Sequence, residues 1–196
     1  MTNFASIKKY LSTKKIGIAG CGGLGSNCAV ALARVGVGNL IIADFDSIEE
    51  SNLNRQYFFY DQIGKPKATM LKENILRINP NINIEEHIKK LDSQDIIDIY
   101  SECDVIVEAF DRAEMKTMII KTVLSNFPEK YIISGNGMAG WGKSEIIKPN
   151  YFDKLIICGD MESAVSEENP PLAPRVGMVS NMMANEILNI LLKDLI

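Results

Sequence analysis

At 196 residues, with 46% hydrophobic and 23% charged, the chain is long enough to bury a full core and has the composition of a soluble globular protein. A net charge of −4 offers no general basic field for nucleic acid, and no apolar run suits a membrane span or a signal peptide. A cytoplasmic protein with neither nucleic acid nor membrane as partner is expected.

In chain order, the apolar pattern alternates between strand and helix. Residues 15–19 read as a short buried strand that delivers the chain into a glycine-rich turn, Gly20-Cys-Gly-Gly-Leu-Gly25. Leu24, Cys28, Ala31, Leu32 and Val35 recur at three- and four-residue spacing and predict a helix over 23–36, stopped by Gly36 and Gly38. Residues 39–43 form the second strand, closing a βαβ unit with a right-handed crossover. Helices over 65–78, 93–100 and 113–127 then alternate with strands over 82–87, 104–108 and 131–134. Residues 144–148 and 154–158 are expected as later strands, antiparallel in part. An acidic, proline-rich stretch from Gly159 to Pro174 breaks the pattern, and a final helix over 176–192 carries an apolar stripe. The prediction is one α/β domain over 1–196, a Rossmann-like doubly wound, mostly parallel sheet with helices on both faces. Lys8, Lys9, Lys14 and Lys15 read as a solvated basic surface ahead of it.

The spacing Gly20-x-Gly22-x-x-Gly25 between strand and helix matches a nucleotide-binding fingerprint, with Gly23 inside it. The first glycine permits the tight turn, the second lets phosphate approach the backbone, and the third lets helix and strand pack. Exposed amides and the helix dipole favour an anion there. Asp44, ending the second strand, is placed to accept hydrogen bonds from a ribose. All of this suits NAD, FAD and ATP equally.

The residues that discriminate come afterwards. Asn52 and Arg55 lie three apart and share a face in any helical turn, and Arg55 carries a rigid fork of donors for phosphate oxygens. Lys67, behind Pro66 at a helix start, is placed to meet a β- or γ-phosphate. Asp111 follows the strand over 104–108 at a carboxyl edge, where ligands of open α/β sheets bind. A carboxylate facing a triphosphate works through Mg²⁺. The alternative makes Arg55 and Lys67 surface residues and Asp111 a helix cap.

These residues resemble the adenylating domain of ubiquitin-activating-like enzymes (the ThiF/MoeB/HesA group). Within that group the chain is most similar to the short-form, ThiF-like sulfur carrier protein adenylyltransferases of thiamine biosynthesis. The resemblance runs through GIAGCGGLGSN, GVGNLIIADFD, SNLNRQ, GKPK and LRINP to LAPRVGMVSNMMANEIL, nearly the whole chain. It implies adenylation by Mg-ATP of the C-terminal glycine carboxylate of a small ubiquitin-like sulfur carrier protein ending in Gly-Gly, in a homodimer. Carried onto this chain, it places Gly22 and the neighbouring turn on the nucleotide, Asp44 on the ribose, and Asn52, Arg55 and Lys67 on the triphosphate. Asp111 would hold Mg²⁺ with ATP, and Asp46 and Gln56 would support these groups. Longer relatives carry an arginine-containing segment before the first strand and two C-x-x-C zinc pairs. This chain has neither ahead of its first strand nor among Cys21, Cys28, Cys103 and Cys158, so no zinc is expected.

Other readings stay open from sequence: a different carrier (molybdopterin or cysteine synthesis), a peptide substrate, an NAD-dependent oxidoreductase, or a non-catalytic subunit. Cys158 is the one cysteine considered for sulfur chemistry, against a structural reading at a strand end. The stretch from Gly159 to Pro174 is the candidate cover for the carrier's tail, and the glycine-rich segment 136–141 its floor.

Overall fold

The computed structural model describes residues 3–193. Seven strands are β1 (Lys15–Ala19), β2 (Asn39–Ala43), β3 (Asn83–His87), β4 (Val105–Glu108), β5 (Tyr131–Gly135), β6 (Lys148–Phe152) and β7 (Leu155–Gly159). They form one sheet in the order β3-β2-β1-β4-β5-β7-β6, in which only β6 and β7 run antiparallel. The doubly wound, mostly parallel α/β fold is therefore as the sequence predicts. Among the described residues six α-helices complete it: α1 (Phe4–Leu11), α2 (Gly23–Val35), α3 (Lys67–Ile78), α4 (Ser93–Tyr100), α5 (Ala113–Asn126) and α6 (Ala173–Leu192).

The central strands are apolar on both faces because both faces are covered. On β4, Val105 and Val107 join a core with Cys28 of α2, Leu71 of α3 and Ile187 of α6, while Ile106 joins Tyr100 of α4 and Ile119 of α5 on the opposite side. On β2, Leu40 and Ile42 face the first layer and Ile41 and Ala43 the second. The chain leaves β1 toward one side of the sheet and β4 toward the other. A crevice opens where these adjacent parallel strands diverge, at their carboxyl ends.

Three local departures have identifiable causes. Of the strand expected over 144–148, residues 144–147 do not form one: Gly142 and Lys143 take left-handed backbone angles and Ser144–Ile146 makes a 3₁₀ turn, so β6 begins only at Lys148. Pro149 within β6 is tolerated because β6 is an edge strand with ladder bonds on one side only. Helix α6 starts before Val176, with Pro174 in its first turn, where no N–H is needed. Helix α1 was not legible in the basic cluster: Asn3 caps it by accepting from the Ser6 N–H at 2.9 Å, and it buries Leu11. Lys15, read as part of a free surface, pairs with Glu102 at 2.6 Å.

Candidate active site

The glycine turn leaves β1 at the crevice and opens α2. Gly20 has φ +100°, and a Cβ there would stand 2.7 Å from the Ala109 carbonyl oxygen; at Gly25 it would stand 1.8 Å from the Gly20 carbonyl oxygen. Packing within the protein dictates these two glycines. Gly22 differs. Its φ is −77°, and only the Gln56 amide, 3.8 Å away, lies near the place a Cβ would take. The missing side chain there opens the start of α2, which has no side-chain cap, so its first amides face the cavity as unpaired donors at the positive end of the helix. Gly23 meets α6, where a Cβ would stand 3.0 Å from Val176 Cγ1.

Asp44 directly follows β2 and is buried. It accepts from the Cys21 N–H at 2.6 Å and from the Asp46 N–H at 2.8 Å, fastening the glycine turn to β2. Burial raises its pKa, against the opposing pull of those two amides and of Lys67. Lys67 is the first residue of α3. Its side chain is buried at the cavity wall, where the ammonium donates to the Asp46 carboxylate at 3.0 Å. Arg55 donates to the Ser51 carbonyl at 3.1 Å and to Asn54 Oδ1 at 2.7 Å, which fixes its guanidinium. Partial burial lowers the Arg55 pKa, and the charge of Asp111 offsets part of that effect.

Asn52, buried in the 3₁₀ turn Glu50–Asn52, accepts from the Glu49 N–H at 3.1 Å and so shapes that turn itself. Gln56 is buried beside it, and its Oε1 has no hydrogen-bond partner. An unpaired buried acceptor is unfavourable, so this oxygen is suited to a donor brought by a ligand. Asp111 is exposed after β4 and does not cap α5, whose N-cap is Arg112 without a side-chain bond.

These groups meet. A cavity of about 610 Å³ runs across the crevice, and a smaller one of about 280 Å³ adjoins it; Asp46, Arg55, Gln56, Lys67 and Asp111 line both. Gly20, Gly22, Gly23 and Asp44 line the larger and Asn52 the smaller, whereas Gly25 lines neither and acts through packing. The volume is in the range of small-molecule and cofactor sites. Among the described residues, no three His, Cys, Asp or Glu side chains form a metal cage. A nucleotide-bound Mg²⁺ needs only one or two carboxylates beside phosphate oxygens, and Asp111, open to the cavity, fits that demand.

Two clusters escaped the sequence. Glu108, fully buried at the end of β4, accepts from Lys116 Nζ at 2.9 Å, Ser134 Oγ at 2.5 Å and the Phe110 N–H at 2.7 Å. Lys116 also donates to the Gly135 carbonyl at 3.0 Å, so it pins the ends of β4 and β5 at the cavity. The second cluster joins Asp160 to Arg175 beyond β7. Only Arg175 falls inside a stretch that carries the resemblance, and both clusters bring together residues from separate elements. Of the glycine-rich segment after β5, Asn136, Gly137 and Met138 line the cavity, while Trp141 is exposed elsewhere.

Cys158 does not fit sulfur chemistry. It is fully buried on β7, and burial, reinforced by the nearby charge of Glu186, pushes its thiol up to about 12. A thiolate is the reactive form, so this thiol is inert. Cys21, Cys28 and Cys103 are buried as well, each with its pKa raised chiefly by burial.

Comparison with known proteins places this geometry. Over 193 residues the chain is 33% identical to the molybdopterin-synthase adenylyltransferase of Haemophilus influenzae, covering 95% of this chain and 78% of that one. It is 30% identical to the adenylyltransferase and sulfurtransferase MOCS3 of Caenorhabditis briggsae, of which it spans 48%. The Escherichia coli tRNA N6-threonylcarbamoyladenosine dehydratase TcdA, solved in complex with ATP, superposes with a TM-score of 0.86 at 19% identity, covering 96% of this chain and 90% of that one, and so shares its fold. The model of the ThiF family matches residues 4–195, and the chain belongs to that family.

Proposed function

We propose that this adenylyltransferase activates the C-terminal glycine carboxylate of a small ubiquitin-like sulfur carrier protein with ATP. One observation carries the reading: Arg55, Lys67 and Asp111 converge on a cavity that adjoins the open N-terminus of α2. A dinucleotide dehydrogenase has no use for two cations and a carboxylate at that place.

A carboxylate oxygen of the carrier attacks the α-phosphorus of ATP, the bond from that phosphorus to the bridging oxygen breaks, and pyrophosphate leaves with its electron pair. The nucleophile is already ionised at neutral pH, so no side chain need take a proton. Catalysis then consists of alignment and of neutralising phosphate charge. The α2 amides receive phosphate oxygens, Arg55 and Lys67 neutralise the triphosphate, and Asp44 and the unpaired Gln56 oxygen accept from nucleotide hydroxyls or amines. Asp46 holds the Lys67 ammonium in place until the nucleotide arrives. Asn52 supports this wall by shaping the turn that carries Arg55. Mg²⁺, held through Asp111 and the phosphates, supplies further charge neutralisation when bound.

The resemblance points first to the carrier of thiamine (thiazole) biosynthesis. A second reading, the molybdopterin carrier, is favoured by the name of the Haemophilus relative. A homodimer in the cytoplasm goes with either. Exchange of labelled pyrophosphate into ATP, measured with each carrier in turn, tests the proposal. The expected result is exchange that depends on a carrier ending in Gly-Gly; none with any carrier, or binding of NAD in its place, overturns it.

A further inference from the structure

The irregular stretch between β7 and α6 is a fastened strap. Its head is Asp160, whose side chain is wholly buried and accepts from the Glu162 N–H at 2.9 Å, the Ser163 N–H at 2.8 Å, Ser163 Oγ at 2.5 Å and Arg175 Nη2 at 2.5 Å. Arg175 is 3% exposed and donates through Nη1 to the Gly142 carbonyl at 2.9 Å. A single guanidinium thus ties the first turn of α6, the head of the strap and the glycine-rich segment after β5.

The tail is fastened independently. The Gly140 N–H donates to the Pro170 carbonyl at 2.9 Å, and Asn54 Nδ2 reaches the Pro171 carbonyl at 3.3 Å. Gly137 and Gly140 both have φ +75°; a Cβ at Gly137 would stand 2.0 Å from Asp160 Oδ1, and at Gly140 2.3 Å from Asn169 Oδ1. The two segments therefore approach as closely as glycine permits. Between the fastenings, Ser163, Ala164 and Val165 line the large cavity, together with Gly135, Asn136 and Gly137. The triphosphate groups Arg55 and Lys67 come from the β1–β2 side. What the strap walls is the remaining, β5–β7 side, where an acyl substrate would lie.

We propose that the buried Asp160–Arg175 pair is a positioning device that sets the strap in place before any ligand arrives, and so governs affinity for the carrier's tail without touching ATP. This rests on the adenylation reading. Neither residue lines the cavity, so both act through the segments they fasten. Breaking a buried ion pair leaves a buried charge uncompensated, which releases the strap's head.

The test uses the whole protein, with Asp160→Asn and Arg175→Lys. In pyrophosphate exchange, the carrier concentration giving half-maximal rate is expected to rise on the order of 10- to 10²-fold in Asp160→Asn, the effect of misplacing substrate-positioning groups. Arg175→Lys, which keeps the charge, should show a smaller rise of the same kind. The ATP dissociation constant should stay within about twofold in both, which also reports that the variants are folded. Without ligands, protease should cut the strap in the variants and spare it in wild type. If Asp160→Asn binds no ATP, Arg175→Lys decides by the same split. Unchanged carrier dependence, or ATP and carrier affinity falling together, overturns the proposal. A wild-type protein without carrier-dependent exchange overturns instead the adenylation reading on which it rests.

Discussion

At the β1–β2 end of the cavity the working groups come from one continuous stretch, Gly20 to Lys67, whereas the β5–β7 end is assembled from Gly135–Met138, Asp160–Val165 and Arg175 across three separate elements. The first end presents open amides and cations to a ligand. The second satisfies its charges internally and presents backbone and small side chains. A phosphate chain is the same in every substrate molecule and can be met by fixed charges. A polypeptide tail needs instead a slot of the right width, and a slot is made by fastening segments together.

This contrast can be broken by experiment. The largest effect is expected at the phosphate end: Arg55→Ala or Lys67→Ala should lower adenylation on the order of 10²-fold, as loss of one transition-state donor does. The carrier concentration for half-maximal rate should hardly move. Pyrophosphate exchange at the normal rate in both variants removes these residues from the mechanism.

A smaller effect distinguishes the strap by pH. Burial disfavours ionised Asp160, but the Ser163 hydroxyl and amide, the Glu162 amide and Arg175 outweigh it and bring its pKa down to about 2. An unfolded aspartate titrates at about 3.9, so the pair's contribution is fully present above that pH and is lost as pH falls toward the folded value. Unfolding free energies of wild type and Asp160→Asn should therefore converge as the pH is lowered from about 4 to about 2. A gap that stays constant over that window means the Asp160 charge does not stabilise the fold. The smallest effect belongs to Cys158→Ser, expected to leave pyrophosphate exchange and sulfur transfer to the carrier unchanged; loss of sulfur transfer alone would restore a chemical role to that thiol.

The same contrast explains what was legible in the sequence. The doubly wound, mostly parallel sheet follows from alternating apolar runs, and the glycine turn, Arg55, Lys67 and Asp111 stand in short patterns whose residue types have few other uses. Asp160 stands in no such pattern, and the stretch around Arg175 carries no sign of a buried pair. The two residues lie 15 positions apart, across a stretch without periodicity, and an arginine in the first turn of an apolar helix reads as surface until its partner is known. Glu108 and Lys116 failed for a similar reason: the lysine reaches a carboxylate on the preceding strand. The missed helix α1 is short, and its inward side rests chiefly on Leu11, too little for a periodic signal. Local chemistry that repeats a pattern can be read from sequence; a buried pair chosen by tertiary packing cannot.

The four buried thiols have a consequence for the order of events. An acyl-adenylate is a mixed anhydride, open to water and to any passing nucleophile, and no cysteine of this chain lies where it can take over the acyl group. The activated tail therefore has to wait for an acceptor that these 196 residues do not supply. How many activations end in transfer and how many in futile hydrolysis then depends on how long the strap keeps water away from that bond.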